Sequence, residues 1–98
     1  MSKIEERLKQ ADEYLNSGKF TWAIDTYEEI LAEGGLSNDE LMWAYLNRGI
    51  ANMNEGNRDP RYREEHYRDA SWDFQRVMED NSNPERAAKA KELYEKTQ

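Results

Sequence analysis

A length of 98 residues makes one small domain, and 37% hydrophobic with 36% charged residues is a helix-rich globular balance, not that of a disordered tail. The net charge of −7 opposes nucleic acid as a partner, and the lack of cysteine removes disulfides, thiolate metal sites and cysteine nucleophiles. No apolar run approaches the roughly 20 residues of a bilayer span, and the charged start MSKIEERLKQ has no secretory-signal core, so a soluble, cytoplasmic protein with no membrane contact is expected.

The elements are marked by their ends. Ser2–Glu5, Ser37–Glu40 and Ser82–Glu85 each set Ser three residues before Glu, the reciprocal cap that satisfies free backbone groups at a helix start. Asp59-Pro60 offers another start, and Gly18, Gly34-Gly35 and Gly56 offer stops. Between these marks the chain predicts helices at 3–16, 19–33, 38–55, 60–80 and 84–97. The first carries Ile4, Leu8, Ala11 and Leu15 at helical spacing, with Tyr14 beside them. The second carries Phe20, Ala23, Ile24, Tyr27, Ile30 and Leu31. The third shows Met42, Leu46, Gly49, Ile50 and Met53, and the fourth Tyr67, Ala70, Phe74, Val77 and Met78. The last is weaker, with Ala87, Ala90, Leu93 and Tyr94. No strand-like alternation competes, so an all-α chain of about five antiparallel helices is expected.

Two of these helices share a design. Ala23 stands between Phe20 and Tyr27, and Ala70 between Tyr67 and Phe74. A methyl between two rings lets a facing helix come close while the rings fill the space above and below. Ala11, Tyr14, Gly18, Phe20, Ala23 and Tyr27, then Gly49, Gly56, Tyr67, Ala70 and Phe74, resemble the tetratricopeptide repeat, a helix-turn-helix unit of about 34 residues. The resemblance covers nearly the whole chain. It implies an α-α superhelix with one repeat at about 4–35, a second at about 42–84 and a capping helix at 84–98. Gly35 stands where a proline often ends the unit, Asn52 where an aromatic is expected, and Pro84 comes slightly late.

The second repeat needs an insertion. Gly18 and Phe20 are two positions apart, whereas Gly56 and Tyr67 are eleven apart, so nine extra residues enter near 57–66. With Asp59-Pro60 as a start, most of them read as a fourth helix that begins about two turns early. Arg58, Arg61, Tyr62 and Arg63 gather there with Tyr67 and Arg68, among Asp59, Glu64, Glu65 and Asp69. A solvated helix end and a secondary docking feature both fit.

The resemblance also implies a partner groove lined by the first helix of each repeat. By register its lining is Glu5, Leu8, Asp12 and Asn16, then Trp43, Leu46, Asn47, Ile50 and Asn54. Trp43, Asn47, Ile50 and Asn54 share one face by spacing; the ring offers area, and the amides suit an extended backbone. The competing reading makes Trp43 and Ile50 core and the two Asn ordinary surface. Some members of the family clamp a terminal carboxylate with Lys and Asn. Here Leu8 and Asp12 take those places; Asn47 and Lys91 match further positions, but Glu95 replaces an Arg, so no such clamp is expected. An acidic groove favours a basic or amphipathic segment instead. Trp22 and Trp72 lie off the stripes, either as interface anchors or covered by a neighbouring helix.

His66 is the single histidine and no metal-ligand spacing surrounds it. No nucleophile elbow, phosphate loop or dinucleotide glycine pattern occurs, and the paired carboxylates Glu5-Glu6, Glu28-Glu29 and Glu64-Glu65 diverge on their helices. A non-enzymatic adaptor with no cofactor or metal, holding a peptide or helix of another protein, is the expectation. The alternative is a structural subunit that dimerises to complete its core. A salt-sensitive nucleic-acid contact through the arginines is a third and weaker option.

Overall fold

Polar residues open the helices by satisfying their first backbone N–H groups. In the computed structural model, which describes residues 2–98, the Ser2 hydroxyl accepts the Glu5 N–H and opens α1 (Lys3–Asn16). α2 (Phe20–Glu33) begins without a side-chain cap. Ser37 and Glu40 form the full reciprocal cap of α3 (Asn38–Arg58), at 3.2 and 2.8 Å. A 3-10 turn, Pro60–Tyr62, leads to α4 (Arg63–Met78), and α5 (Pro84–Lys96) follows. Asn83, not Ser82, caps α5, accepting the Arg86 N–H at 3.1 Å; the Ser82 hydroxyl is drawn away to Asp80 at 2.7 Å. Among the described residues there is no strand, and the chain is all-α.

Gly18, Gly34 and Gly35 adopt φ of 77°, 75° and 76° and end α1 and α2, where a side chain would be strained. Gly56 corrects the expectation of a stop. It lies inside α3, and a Cβ built on it would stand 3.0 Å from Tyr67 Cδ1, so it is a contact point. The chain leaves α3 at Asp59, whose extended backbone (φ −123°, ψ 92°) is what a following proline imposes. α4 therefore begins at Arg63, not at 60, and ends at Met78. Of the inserted stretch 57–66, Asn57 and Arg58 end α3, Pro60–Tyr62 form the 3-10 turn and Arg63–His66 open α4. The fourth helix thus begins about one turn before Tyr67, not two, and the 3-10 turn and the tail of α3 take up the rest.

Side-chain bonds near the helix ends set the directions. Arg7, early in α1, pairs with Glu33 at the tail of α2. Asn38 at the head of α3 reaches Asp80 just beyond α4, while Tyr67 early in α4 donates to Asn57 late in α3. These pairs run antiparallel. Arg58 donates to the Gly18 carbonyl at 2.9 Å, so the tails of α1 and α3 lie together and those two helices run parallel.

The core lies on both sides of α3. Ala44 and Ala51 face Leu8, Ala11, Ala23, Tyr27 and Ile30 of the first hairpin. Met42 joins Ala70, Phe74 and Val77 of α4 and Ala90 and Leu93 of α5. A Cβ on Gly49 would stand 2.7 Å from Phe74 Cε1. Ala23 and Ala70 are fully buried, as are the rings of Tyr27 and Phe74, while Phe20 and Tyr67 are half-buried.

The junction of α4 and α5 is held by Asp80. Its carboxylate accepts from the Ser82 hydroxyl, from Arg86 at 2.8 Å and from Asn38 at 3.3 Å. Arg86 also reaches Asp39 at 3.3 Å, which ties the start of α5 to the head of α3.

Two predictions follow from this packing. Alanine at Gly49 gains about 1 kcal/mol of helix propensity but must push back a buried ring, at a typical overpacking cost of about 1–3 kcal/mol. Gly49→Ala should therefore lower the melting temperature in a circular-dichroism scan, and a higher value would refute the contact. The hydrogen bonds from Ser82, then Arg86 and Asn38, hold the Asp80 carboxyl down at about 2. A depressed carboxyl contributes stability above its unfolded value, roughly pH 3.9, and loses it as pH falls through its folded value. Asp80→Asn should flatten the acid limb of the stability profile between about pH 4 and 2, measured by urea unfolding at each pH.

Candidate binding groove

Asp12 is where α1, α2 and α3 meet. Its carboxylate accepts from Tyr27 Oη on α2, from Trp43 Nε1 at 2.9 Å and from Asn47 Nδ2 at 2.9 Å, both on α3. None of the three donors is charged. Burial, reinforced by the Asp12 hydrogen bond, holds the Tyr27 phenol far above its ordinary range, so it stays a donor.

Beside this node a groove of about 540 Å³ opens toward the tails of α1 and α3. Asp12, Asn16, Asn47, Ile50 and Asn54 line it, five of the nine residues expected from register. Leu15, Gly18 and Phe20 complete the lining, and the first helix's apolar stripe had assigned Leu15 to the core. Glu5 and Trp43 stand elsewhere, around a second hollow of about 550 Å³ at the heads of α1 and α3, with Ile4, Asp39 and Glu40. Trp43 is a partial wall: it packs against the first hairpin's core and spends its N–H on Asp12. Leu8 must be withdrawn from the lining, because it is fully buried and has no surface to offer a partner. Leu46 also departs from it, packing against the α4–α5 side of α3.

The arginine cluster is engaged internally. Arg58 bonds the Gly18 carbonyl and, at 2.6 Å, Glu55. Arg61 pairs with Asp59 at 3.1 Å and lies 5.5 Å from the Tyr62 ring centre. Arg63 Nε donates to the Gly56 carbonyl at 3.2 Å, closing the end of α3. Tyr62 itself is exposed.

A second polar node lies on the other side of α3, where sequence reasoning placed none. Asp73 is 1% exposed and accepts from Arg48 Nε at 2.9 Å and from a terminal nitrogen of the same guanidinium at 2.7 Å. Burial pushes the Asp73 carboxyl up and Arg48 opposes that push, while Asp73 holds Arg48 more firmly charged. Asn52 is buried, bonding the Arg48 carbonyl at 3.3 Å and His66 Nδ1 at 3.0 Å. The available signal was Asp73 itself, a charged residue on the stripe of Ala70, Phe74 and Val77. Arg76 lies 4.8 Å from both the Tyr45 and Trp72 ring centres and covers one face of Trp72. Trp22 and Trp72 nevertheless remain exposed.

Among the described residues no group of three His, Cys, Asp or Glu side chains is placed to hold a metal ion, and no helix is long and apolar enough to cross a membrane. No family model, curated protein or solved structure matches this chain.

The asymmetry of the Asp12 node gives a prediction. Asp12→Ala strips three donors of their acceptor, one of them fully buried, and should cost about 2–4 kcal/mol in urea unfolding. Tyr27→Phe leaves Asp12 with two donors and should cost about 1 kcal/mol. Equal losses would show that the carboxylate is not the hub.

Proposed function

We propose that this chain is a tetratricopeptide-like adaptor, without chemistry of its own, that holds a segment of another protein in the groove between α1 and α3. The observation that carries this reading is the groove's mixed lining. Leu15, Phe20 and Ile50 offer apolar area, while Asn16, Asn47 and Asn54 offer amides that can pair with an extended backbone. Asp12 keeps one amide N–H of Asn47, which orients that side chain at the groove floor. The glycine–ring contacts of α3 with α4 and the buried Ala23 and Ala70 support the family resemblance.

The partner is basic or amphipathic where it crosses Asp12, since carboxylates also line the next hollow along, at Glu5, Asp39 and Glu40. Self-assembly is the less favoured reading. The outer residues of α5, Lys89, Lys91, Glu92 and Glu95, are exposed and charged, which fits a helix that closes the core against water.

A displayed library of short random peptides, sorted on the wild-type protein, tests the adaptor. Enriched sequences should combine apolar residues with Lys or Arg. Their affinity should fall at least about tenfold for Asn54→Trp, which fills the groove without adding charge, while the melting curve stays close to wild type. Binders unaffected by that substitution would place the partner on another face.

A further inference from the structure

The groove does not end at Phe20. Gly18 and Phe20 also edge a smaller hollow of about 240 Å³, completed by Lys19, Thr21, Trp22 and Arg58. The charged residues of this hollow are both cations. The adjoining groove has Asp12 as its charged residue, and hollows elsewhere on the molecule hold carboxylates alone or carboxylates mixed with arginine. In a chain of net charge −7 that is a local inversion of sign.

Its rings are presented, not sealed. Trp22 is 56% exposed and stands edge-on to Tyr14, with ring centres 5.6 Å apart. The Lys19 ammonium lies 4.9 Å from the Trp22 ring centre, and the Arg58 guanidinium 4.8 Å from that of Phe20. Glu55 pairs with one terminal nitrogen of Arg58 at 2.6 Å and the Gly18 carbonyl takes the other, although the Arg58 side chain keeps 52% of its exposure. Lys19 therefore carries most of the corner's uncompensated positive charge. Lys19 is exposed, and no carboxylate lines the hollow beside it.

We propose that this cation-flanked aromatic corner is the far end of the same groove, and that it receives acidic side chains of the partner segment. The proposal rests on the adaptor reading and adds the partner's charge pattern. The segment is basic and apolar where it crosses Asp12, then acidic with an aromatic or aliphatic side chain where it meets Lys19, Trp22 and Arg58. Charge complementarity is the argument. Screening over about 8 Å at physiological salt lets two neighbouring patches of opposite sign act on different parts of one ligand. A nucleic acid, uniformly negative, would satisfy the cationic corner but be repelled by Asp12 and by the net charge. A peptide of mixed sign satisfies both. Trp22 supplies the kind of large exposed ring that anchors protein interfaces.

Three fluorescent peptides of about twelve residues test this, alongside an oligo-dT strand. All three peptides share a Lys/Leu half; the other half combines Trp with Glu, with Ser or with Lys. Anisotropy titrations would use the wild type, Lys19→Glu and Asn54→Trp, with circular dichroism as a check on folding. The wild type should bind the Glu peptide about tenfold more tightly than the Lys peptide, with a preference that shrinks as salt is added. Lys19→Glu should abolish or reverse that order while leaving helical content unchanged, because its side chain makes no cap on α2. Equal affinity for all three peptides, still lost in Asn54→Trp, overturns the acidic-end proposal and leaves the groove intact. No peptide binding, or binding indifferent to Asn54→Trp, overturns the groove reading and this one with it. Tighter binding of oligo-dT than of any peptide overturns the proposal in favour of a nucleic-acid surface.

Discussion

The close approach of α3 to its neighbours on two faces is the constraint on which the rest depends. Ala44 and Ala51 face the first hairpin, while Gly49 and Gly56 face α4, and each pair is spaced seven residues apart. Seven residues is about two turns, so each stripe stays on its own side. Rings from the partner helix seat on the glycines: Phe74 on Gly49, Tyr67 on Gly56. Packed helices lie about 8–10 Å apart, the closer end where side chains are small. Only at that separation do short side chains such as Asp12, Asn47, Asp73 and Asn52 span from one helix to another.

Both polar nodes exploit this proximity, in different ways. Asp12 gathers neutral donors at the edge of the groove, so its carboxylate is positioned and remains partly accessible. Asp73 is sealed under Arg48 in a two-point pair. A buried pair of that kind contributes little net stability, but removing one partner strands a charge at a cost of about 3–5 kcal/mol. A slide of α4 by one turn along α3 would incur that loss and would also lift Phe74 off Gly49. Polar and steric contacts therefore enforce the same register.

Much of this was legible in the sequence, because it depends on one-dimensional signals. The first two helices end where Gly18 and Gly34 need positive φ, and Ala23 and Ala70 are buried as their ring-flanked spacing requires. The errors share a cause. A glycine that stops a helix and a glycine that admits a ring look the same in a string of letters, and Gly56 is the second kind. Ser82 and Asn83 are both good caps, and the choice went to Asn83 because Asp80 had claimed the serine hydroxyl. For the groove, register placed Asp12, Asn16, Asn47, Ile50 and Asn54 together, but Leu8 falls on the core stripe of the same helix. Asp73 was passed over because its partner Arg48 lies on another helix, 25 positions away.

The two signs of charge along the groove bear on a problem that any extended-peptide site faces. Side-chain amides can bond a peptide backbone running in either direction, so Asn16, Asn47 and Asn54 alone do not set its polarity. An apolar floor of Leu15, Phe20 and Ile50 is equally indifferent. A carboxylate at one position and cations at the next would remove the ambiguity for the proposed ligand, because reversing it would bring like charges together at both. Because like-charge juxtaposition costs more than a lost rim contact, discrimination arises without a tighter fit. In the proposed site, orientation would come from Asp12 on α1 in one hollow and from Lys19, at the turn into α2, and Arg58, at the tail of α3, in the next. The antiparallel α1–α2 hairpin supplies Asp12 and Lys19, and the parallel run of α1 and α3 brings Arg58 to the same end through its bond to the Gly18 carbonyl.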